Sequence, residues 1–86
     1  MYFTYLLRCS DGTLYCGYTD HLEKRLQAHN SGRGSKYTRT RLPVELVYYE
    51  SYESKHDAMS REYRIKQLTR SEKLSLIASK VPSSPL

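Results

Sequence analysis

The sequence predicts a single α+β domain in which helices flank a three-stranded antiparallel β-sheet, in the order β-β-α-β-α-α. Three observations predict this fold class. An Asp-Gly pair between apolar runs is typical of a β-hairpin, capping boxes precede helical patterns, and one later run rich in Val, Leu and Tyr predicts a third strand. With 86 residues, we expect one domain over residues 1–80 and a flexible tail over residues 81–86.

The turn of the hairpin decides whether Tyr5 and Tyr15, one on each strand, share a face of the sheet. A two-residue loop puts the two tyrosines on opposite faces, because side chains alternate along each strand. A three-residue loop with Ser10 opposite Leu14 puts them on the same face, and Gly12 supplies its left-handed residue. We predict the three-residue loop.

The first helix is predicted by the capping-box spacing of Asp20 and Glu23, and Gly32 ends its pattern. Four residues at helical spacing share the face turned to the sheet: Leu22, Arg25, Leu26 and His29. An arginine and a histidine therefore lie at the core boundary. In one interpretation, Arg25 extends its charged group to solvent and His29 is held by hydrogen bonds. In the other, Arg25 binds a phosphate and the His29 ring beside it titrates.

Residues 32–43 form a polar segment without apolar periodicity, and we predict a basic surface loop there. Its cations are Arg33, Lys36, Arg39 and Arg41. The whole chain has a formal charge of +5, which favours an anionic partner such as nucleic acid. Charge alone is weak support, since many small basic proteins bind no nucleic acid.

The rest of the chain predicts a third strand and two further helices. Residues 44–52 are dense in Val, Leu and Tyr, which favours a strand. Ser54 with Asp57 is a cap for the second helix, and Thr69 with Glu72 is a capping box for a short third helix.

The second helix carries a carboxylate in an apolar stripe. Four of its residues share one face: Ala58, Met59, Glu62 and Ile65. A buried carboxylate is costly unless it is paired, hydrogen-bonded or bound to a cation. Three partners are possible for Glu62: Lys66 at i+4, Arg25 across the core, or one Mg²⁺. Mg²⁺ commonly uses only one or two carboxylates and completes its coordination with water and substrate phosphate.

The sequence lacks the features of a disulfide-rich or zinc-binding protein and those of a secreted or membrane protein. Cys9 and Cys16 are too few for a disulfide framework or a zinc site, and they are interpreted as core residues in a reducing compartment. The N-terminal residues do not resemble a signal peptide, and no apolar run approaches membrane-spanning length. We expect a cytoplasmic protein with no membrane segment.

Several motifs, in order and spacing, resemble the signature of the GIY-YIG nuclease superfamily: Phe3-Thr4-Tyr5, Tyr15-Cys16-Gly17-Tyr18-Thr19, Arg25, His29-Asn30 and Glu62. The stretches at residues 6–12, 34–39 and 61–66 are similar to those of the small stand-alone bacterial branch known as UPF0213. The resemblance covers nearly the whole chain, and it implies the GIY-YIG fold.

The resemblance implies an endonuclease that hydrolyses phosphodiester bonds in DNA, in repair or processing, with one Mg²⁺ or Mn²⁺ held by Glu62. By the same resemblance, Tyr15 would activate or position the attacking water and Tyr5 would orient water or phosphate. Arg25 would neutralise developing charge. His29 would relay the proton of Tyr15 or share the role of base, because a tyrosine with a pKa near ~10 is a poor base at neutral pH. The sequence does not decide whether Tyr15 or His29 is the general base.

The sequence also departs from the family pattern. The first triplet keeps only its tyrosine, Gly17 of the second is retained as a structural residue, and Tyr18 stands where repair-type relatives have lysine. Lys66 is the candidate to replace that lysine. The nucleic-acid contacts we expect are therefore Arg33, Lys36, Arg39, Arg41 and Lys66.

Three functions compete. An active nuclease is the leading hypothesis, and a non-catalytic nucleic-acid-binding module of the same fold is the chief alternative. A protein-interaction adaptor, with structural tyrosines and a merely solvated basic loop, is the third. Relatives usually carry extra domains or partner subunits, so we also expect a protein partner for targeting.

Overall fold

The computed structural model describes residues 1–79, and they form an antiparallel sheet with helices on both faces. The strands are β1 (Tyr2–Arg8), β2 (Leu14–Thr19) and β3 (Glu45–Tyr52), in the sheet order β2-β1-β3. The helices are α1 (Leu22–Asn30), α2 (Lys36–Arg39), α3 (Lys55–Lys66) and α4 (Arg70–Ser79). The predicted fold class is confirmed, with α2 as an additional single turn. The expected tail, residues 81–86, lies outside the described residues.

The hairpin between β1 and β2 has a three-residue loop, Ser10–Gly12. The backbone N–H of Cys9 donates to the oxygen of Thr13 (2.8 Å), and that of Gly12 donates to the oxygen of Cys9 (2.9 Å). Gly12 has a φ of +85°, as the last residue of such a loop requires. The side chain of Asp11 accepts from the N–H of Thr13 (3.1 Å) and holds the turn.

The loop is odd-numbered as predicted, and Tyr5 and Tyr15 lie on the same face of the sheet. The predicted pairing of Ser10 with Leu14 is wrong, because Leu14 is opposite Arg8. The left-handed glycine of a three-residue loop is its last residue, so the loop begins one residue earlier than predicted. The observed pairing differs from the predicted one by two residues. Because side chains alternate with a period of two, Tyr5 and Tyr15 still lie on the same face of the sheet.

Alternation along β1 divides the core between the two faces of the sheet. The core on one face contains Tyr5, Leu7, Cys9 and Val44, covered by Leu22 and Leu26 of α1. The core on the other face contains Leu6, Cys16, Tyr48 and Ile65, covered in part by Leu76 and Ile77 of α4. On this second face, the hydroxyl of Thr4 donates to the backbone oxygen of Ala58 in α3 (2.7 Å). α1 and α3 therefore pack on opposite faces. Both cysteines are buried and free, as expected of core residues.

Local capping signals predicted the later helices well and the first helix less well. The hydroxyl of Ser54 accepts from the N–H of Asp57 (3.0 Å) at the start of α3. Thr69 and Glu72 make the reciprocal bonds of a capping box at the start of α4 (2.8 and 3.1 Å). Both predicted caps are confirmed.

The residue that caps α1 is His21, so the predicted cap at Asp20 is wrong. The ring Nδ1 of His21 accepts from the N–H of Lys24 (3.3 Å). The N–H of His21 donates to the hydroxyl of Thr19 (3.2 Å). This tight turn after β2 delays the start of the helix, and an imidazole nitrogen takes the place of the expected carboxylate.

The predicted basic loop contains helix α2, so its description as an irregular segment is corrected. Ser35 caps this turn by accepting from the N–H of Thr38 (3.2 Å), and Thr38 is fully buried. The side chain of Asn30 bonds both the N–H (2.8 Å) and the oxygen (3.0 Å) of Val44, which ties the two ends of the segment together. The segment is folded back onto the sheet and is only partly a surface loop.

Helix α3 is fixed to β3 by a cluster of polar side chains. Arg61 makes two bonds to the carboxylate of Glu50 (2.8 and 3.0 Å), which also accepts from the hydroxyls of Tyr48 and Tyr52. Burial acts to raise the pKa of Glu50, but these hydrogen bonds outweigh it and leave the pKa lowered. The cluster fixes the position of the neighbouring Glu62.

The apolar stripe predicted for α3 is narrower than expected. Ala58 and Ile65 are fully buried, whereas Met59 is 43% exposed, so its assignment to the buried face is wrong. None of the described helices is long and apolar enough to cross a membrane.

Candidate active site

Tyr5 lies at the centre of the site and is almost completely buried. It pairs across the hairpin with Gly17, and a Cβ added at Gly17 would lie 2.5 Å from the Tyr5 hydroxyl. The ring of Tyr5 therefore crosses the neighbouring strand only because position 17 has no side chain. The Tyr15 ring lies beside it, with ring centroids 6.5 Å apart.

His29 reaches this pair from α1 and uses both ring nitrogens. Nε2 lies 2.9 Å from the hydroxyl of Tyr5, and Nδ1 lies 2.8 Å from the hydroxyl of Thr38 on α2. Its neighbour Gly34 is packed so closely that a Cβ there would overlap the imidazole ring. The result is a buried chain of hydrogen bonds that joins a strand, α1 and α2.

The direction of this chain follows from its Thr38 end. Because the Thr38 hydroxyl donates to a backbone oxygen, Nδ1 of His29 carries the ring proton, and Nε2 accepts from the Tyr5 hydroxyl. The hydroxyl of Thr38 donates to the backbone oxygen of Ser35 (3.4 Å) and accepts from the Nδ1–H of His29. Each buried polar group in the chain is satisfied.

Burial keeps both titratable members of the chain uncharged at neutral pH. Burial lowers the pKa of His29 to about 4, and the charge of Arg25 acts in the same direction. Burial raises the pKa of Tyr5 to about 12, although the nearby guanidinium of Arg25 opposes that change. His29 is a neutral, fully enclosed ring, so it orients its neighbours and does not itself contact solvent.

Tyr15 is the more accessible tyrosine of the pair and is held between aromatic rings. Its ring meets the edge of His29 with centroids 5.2 Å apart, and it stacks on Tyr37 of α2 at 6.0 Å with an interplanar angle of 24°. The guanidinium of Arg41 lies over the Tyr37 ring at 3.9 Å. Arg41 is also paired with Asp11 of the hairpin loop (3.1 Å).

Arg25 is fixed at the border of the buried chain. Its Nη2 donates to the backbone oxygen of Gly34 (2.9 Å), and Arg25 lines a small cavity together with Tyr5. The predicted set Tyr5, Tyr15, Arg25 and His29 is therefore brought together on one face of the sheet.

Glu62 lies on the other face of the sheet, because α3 packs there. Its side chain is 22% exposed, and its carboxylate pairs with Lys66 at 3.4 Å, so the i, i+4 pair weighed from sequence is formed. The backbone oxygen of Glu62 accepts from the thiol of Cys16 on β2 (3.9 Å). β2 is an edge strand, and Tyr15 and Cys16 point to its opposite sides. Glu62 and Tyr15 thus flank the same edge from opposite faces of the sheet.

The five cations expected to contact nucleic acid are in two different states. Arg33, Lys36 and Arg39 are exposed, and within residues 1–79 none of them is paired with a carboxylate. Arg41 and Lys66 are each committed to an ion pair. Lys66 is therefore less available than the sequence suggested to replace the lysine missing at position 18.

Sequence reasoning missed Gly34, Thr38 and Tyr37, which complete the site. Their contacts with His29 and Tyr15 are tertiary, and they lie in a segment with no apolar periodicity. The one local signal was Ser35, a residue type favoured at helix N-caps, three positions before Thr38.

The fold is that of a GIY-YIG domain. The family model of the GIY-YIG catalytic domain matches residues 1–75, and the chain belongs to this nuclease family.

Proteins named UPF0213 are among its relatives. One from Clostridium perfringens (strain 13 / Type A), UPF0213 protein CPE1444, is 59% identical over 80 residues, which cover 93% of this chain and 86% of that protein. YsiG of Lactococcus lactis subsp. lactis is 62% identical over 77 residues, covering 88% of this chain and 74% of that protein. The solution structure of BH0048 from Bacillus halodurans is similar with a TM-score of 0.62 at 42% identity, covering 96% of this chain and 89% of that one.

Proposed function

We propose that this protein is a divalent-metal-dependent endonuclease that hydrolyses phosphodiester bonds in DNA. The observation that carries the proposal is the buried chain of hydrogen bonds from Tyr5 through His29 to Thr38, with Arg25 beside Tyr5 and the accessible ring of Tyr15 above it. Two glycines are needed to close it, at positions 17 and 34. Such a fixed polar array at the surface of a core is what a preorganised catalytic site requires.

In this proposal Tyr15 is the residue that meets the attacking water. Tyr5 and His29 are enclosed, so they act by holding the site in place and not by contact with bulk solvent. Phenol hydroxyls are weak bases at neutral pH, so a positive charge close to the water is needed to assist its deprotonation. His29 is accordingly a positioning residue, whose ring supports Tyr15 and accepts from Tyr5.

Arg25 stabilises the charge that develops on the phosphate in the transition state. Its guanidinium is held by the backbone oxygen of Gly34, so little reorganisation is needed when charge develops. Removal of a preorganised donor of this kind commonly costs about two to three orders of magnitude in rate.

Glu62 fits a single hard cation such as Mg²⁺ or Mn²⁺. Among the described residues no group of three or more His, Cys, Asp or Glu side chains is arranged to hold a metal ion, but a site completed by water and substrate phosphate needs only one or two carboxylates. The carboxylate is part-exposed and already accepts a cation, the ammonium of Lys66. A bound metal would supply Lewis-acid charge and lower the pKa of a water molecule.

Because β2 is at the edge of the sheet, one substrate strand can reach both Tyr15 and Glu62, which lie on opposite faces. A nucleic-acid strand that crosses this edge meets Tyr15 on one side and Glu62 on the other. The free cations Arg33, Lys36 and Arg39 lie on or near α2, next to Tyr15, where they contact the backbone of the same strand.

The test is cleavage of branched, flapped, single-stranded and duplex DNA by the pure protein, with Mg²⁺ and with EDTA. Wild type is expected to give product only with the metal. Tyr15→Phe and Glu62→Gln are expected to lose about two orders of magnitude or more in rate. The matched controls are Tyr63→Phe and Glu53→Gln, exposed residues away from the site, which keep the wild-type rate. Equal rates for the site variants and their controls would assign the activity to a contaminant or another site.

A non-catalytic nucleic-acid-binding module is the second candidate. The observation that favours it is the ion pair of Glu62 with Lys66, which occupies the carboxylate that would hold the metal. This function predicts salt-dependent binding, with a slope of about −0.9 per phosphate on duplex DNA, and no product under any metal condition.

A further inference from the structure

The end of the sheet opposite the hairpin loop collects several cationic and hydroxyl groups. β1 begins and β2 ends there, β3 also ends there, and α1 and α3 both start nearby. A pocket of about 330 Å³ opens at this end. It is lined by Tyr2, Tyr18, Thr19, Asp20, Arg25 and Lys55.

The lining is suited to an anion. Arg25 reaches the pocket from α1 on one face of the sheet, and Lys55 reaches it from the first turn of α3 on the other. Tyr2 and Tyr18 add two hydroxyl groups that can donate hydrogen bonds, whereas the hydroxyl of Thr19 already donates to the backbone oxygen of His21 (3.5 Å).

The two cations of the pocket outnumber its one carboxylate, Asp20, and are not paired with it. Within residues 1–79, neither Arg25 nor Lys55 is in an ion pair with Asp20 or with any other carboxylate. Arg25 connects this pocket to the buried chain, since it also lines a small cavity together with Tyr5. An anion in the pocket therefore lies one side chain away from the candidate active site.

We propose that Lys55 and Arg25 form a binding site for a backbone phosphate of the nucleic acid, next to the bond that is cut. This inference rests on the proposed function, and it assigns to Lys55 a role that its sequence context does not suggest. Phosphate groups are recognised by arginine and lysine together with hydroxyl donors, which are the groups that converge here.

The first test measures binding without a divalent metal, so that it does not depend on turnover. Fluorescence anisotropy in EDTA follows single-stranded and duplex oligodeoxynucleotides between about 50 and 200 mM salt. Lys55→Gln is expected to reduce the salt slope of log K by about 0.7 on single strands or about 0.9 on duplex. The matched control is Lys24→Gln, an exposed lysine of α1 that does not line the pocket, and its slope stays that of wild type. Equal slopes for the two variants overturn the proposal.

A second variant tests whether the pocket, and not the helix, needs the charge. Tyr18 lines the same pocket, so a lysine at that position places an ammonium group in it. Tyr18→Lys combined with Lys55→Gln is expected to restore the wild-type slope. If this double variant folds, as judged by circular dichroism, and its slope stays that of Lys55→Gln, the two positions do not serve one phosphate.

Failure of this proposal and failure of the nuclease function give different results. If the protein cuts DNA but Lys55→Gln and Lys24→Gln have the same salt slope of binding, the nuclease function stands and the phosphate site is rejected. If the protein does not cut DNA but Lys55→Gln has the reduced salt slope of binding, the phosphate site stands and the nuclease function is rejected.

Discussion

At the scale of single residues, His29 shows how the site resists protonation. Both of its nitrogens are committed, to Tyr5 and to Thr38, and protonating the ring would break the bond that Nε2 accepts. The neutral ring is a requirement of the folded state. The same arrangement makes the stability of the protein depend on pH.

We predict that the free energy of unfolding falls as the pH decreases from about 6.5 towards about 4. Burial lowers the pKa of His29 from 6.5 to about 4 in the folded state, so between these values the unfolded chain binds the extra proton and is favoured. The contribution is present above pH 6.5 and is lost on acidification, and it amounts to about 3 kcal/mol at most.

Urea unfolding at a series of pH values measures this contribution, with His29→Gln as the control that lacks the titrating ring. The pKa values of Glu50 and Asp11 are lowered from 4.5 and 3.8, so both carboxylates titrate below the upper part of this range. If wild type and His29→Gln lose stability equally between pH 4.5 and 6.5, the buried neutral histidine is contradicted.

At the scale of the elements, α2 matters because it supports Tyr15. Tyr37 projects from this single turn onto the Tyr15 ring, and Arg41 covers Tyr37 while it is paired with Asp11 of the hairpin loop. The hairpin and α2 are thus tied together around the accessible tyrosine. Orientation of that ring depends on a segment that carries no strong structural signal of its own.

We predict that Tyr37→Leu lowers kcat for DNA cleavage by up to about tenfold with little change in KM, because an aromatic pair contributes about 0.5–1.5 kcal/mol. Tyr37→Phe keeps the stacked ring and is expected to retain the wild-type kcat. Steady-state kinetics on one oligonucleotide substrate separate the two constants. A wild-type kcat for Tyr37→Leu would show that the stack does not position Tyr15.

The caps and the strand alternation were predictable because they are local. Ser54 and the Thr69–Glu72 pair made the hydrogen bonds that their spacing predicts. The parity of the hairpin followed from alternation, although its pairing depended on where Gly12 sits in the loop. Asp20 lost the α1 cap to His21, whose ring nitrogen competes for the same backbone N–H groups.

The contacts that complete the site were not predictable, since they join distant segments. Nothing near Gly34 or Thr38 in the sequence indicates that each packs against His29. The apolar stripe of α3 showed that Glu62 needs a partner, and that partner is Lys66. The face of the sheet that α3 occupies depends on the packing of the whole chain.

At the scale of the whole molecule, the sheet separates the groups that the proposed reaction needs. α1 brings Arg25 and His29 to one face, and α3 brings Glu62 to the other. The edge strand β2 lies between them, with Tyr15 on one side and Cys16 on the other. If one substrate strand crosses this edge, the two groups act together in spite of their separation.

The most direct test of this account is a double-mutant cycle on the rate of metal-dependent DNA cleavage under single-turnover conditions. The variants are Tyr15→Phe, Glu62→Gln and the combination of both. Residues that act in one site are strongly non-additive, so the double variant is expected to be about as slow as the slower single variant. A double variant whose loss equals the product of the two single losses would contradict a shared site across β2.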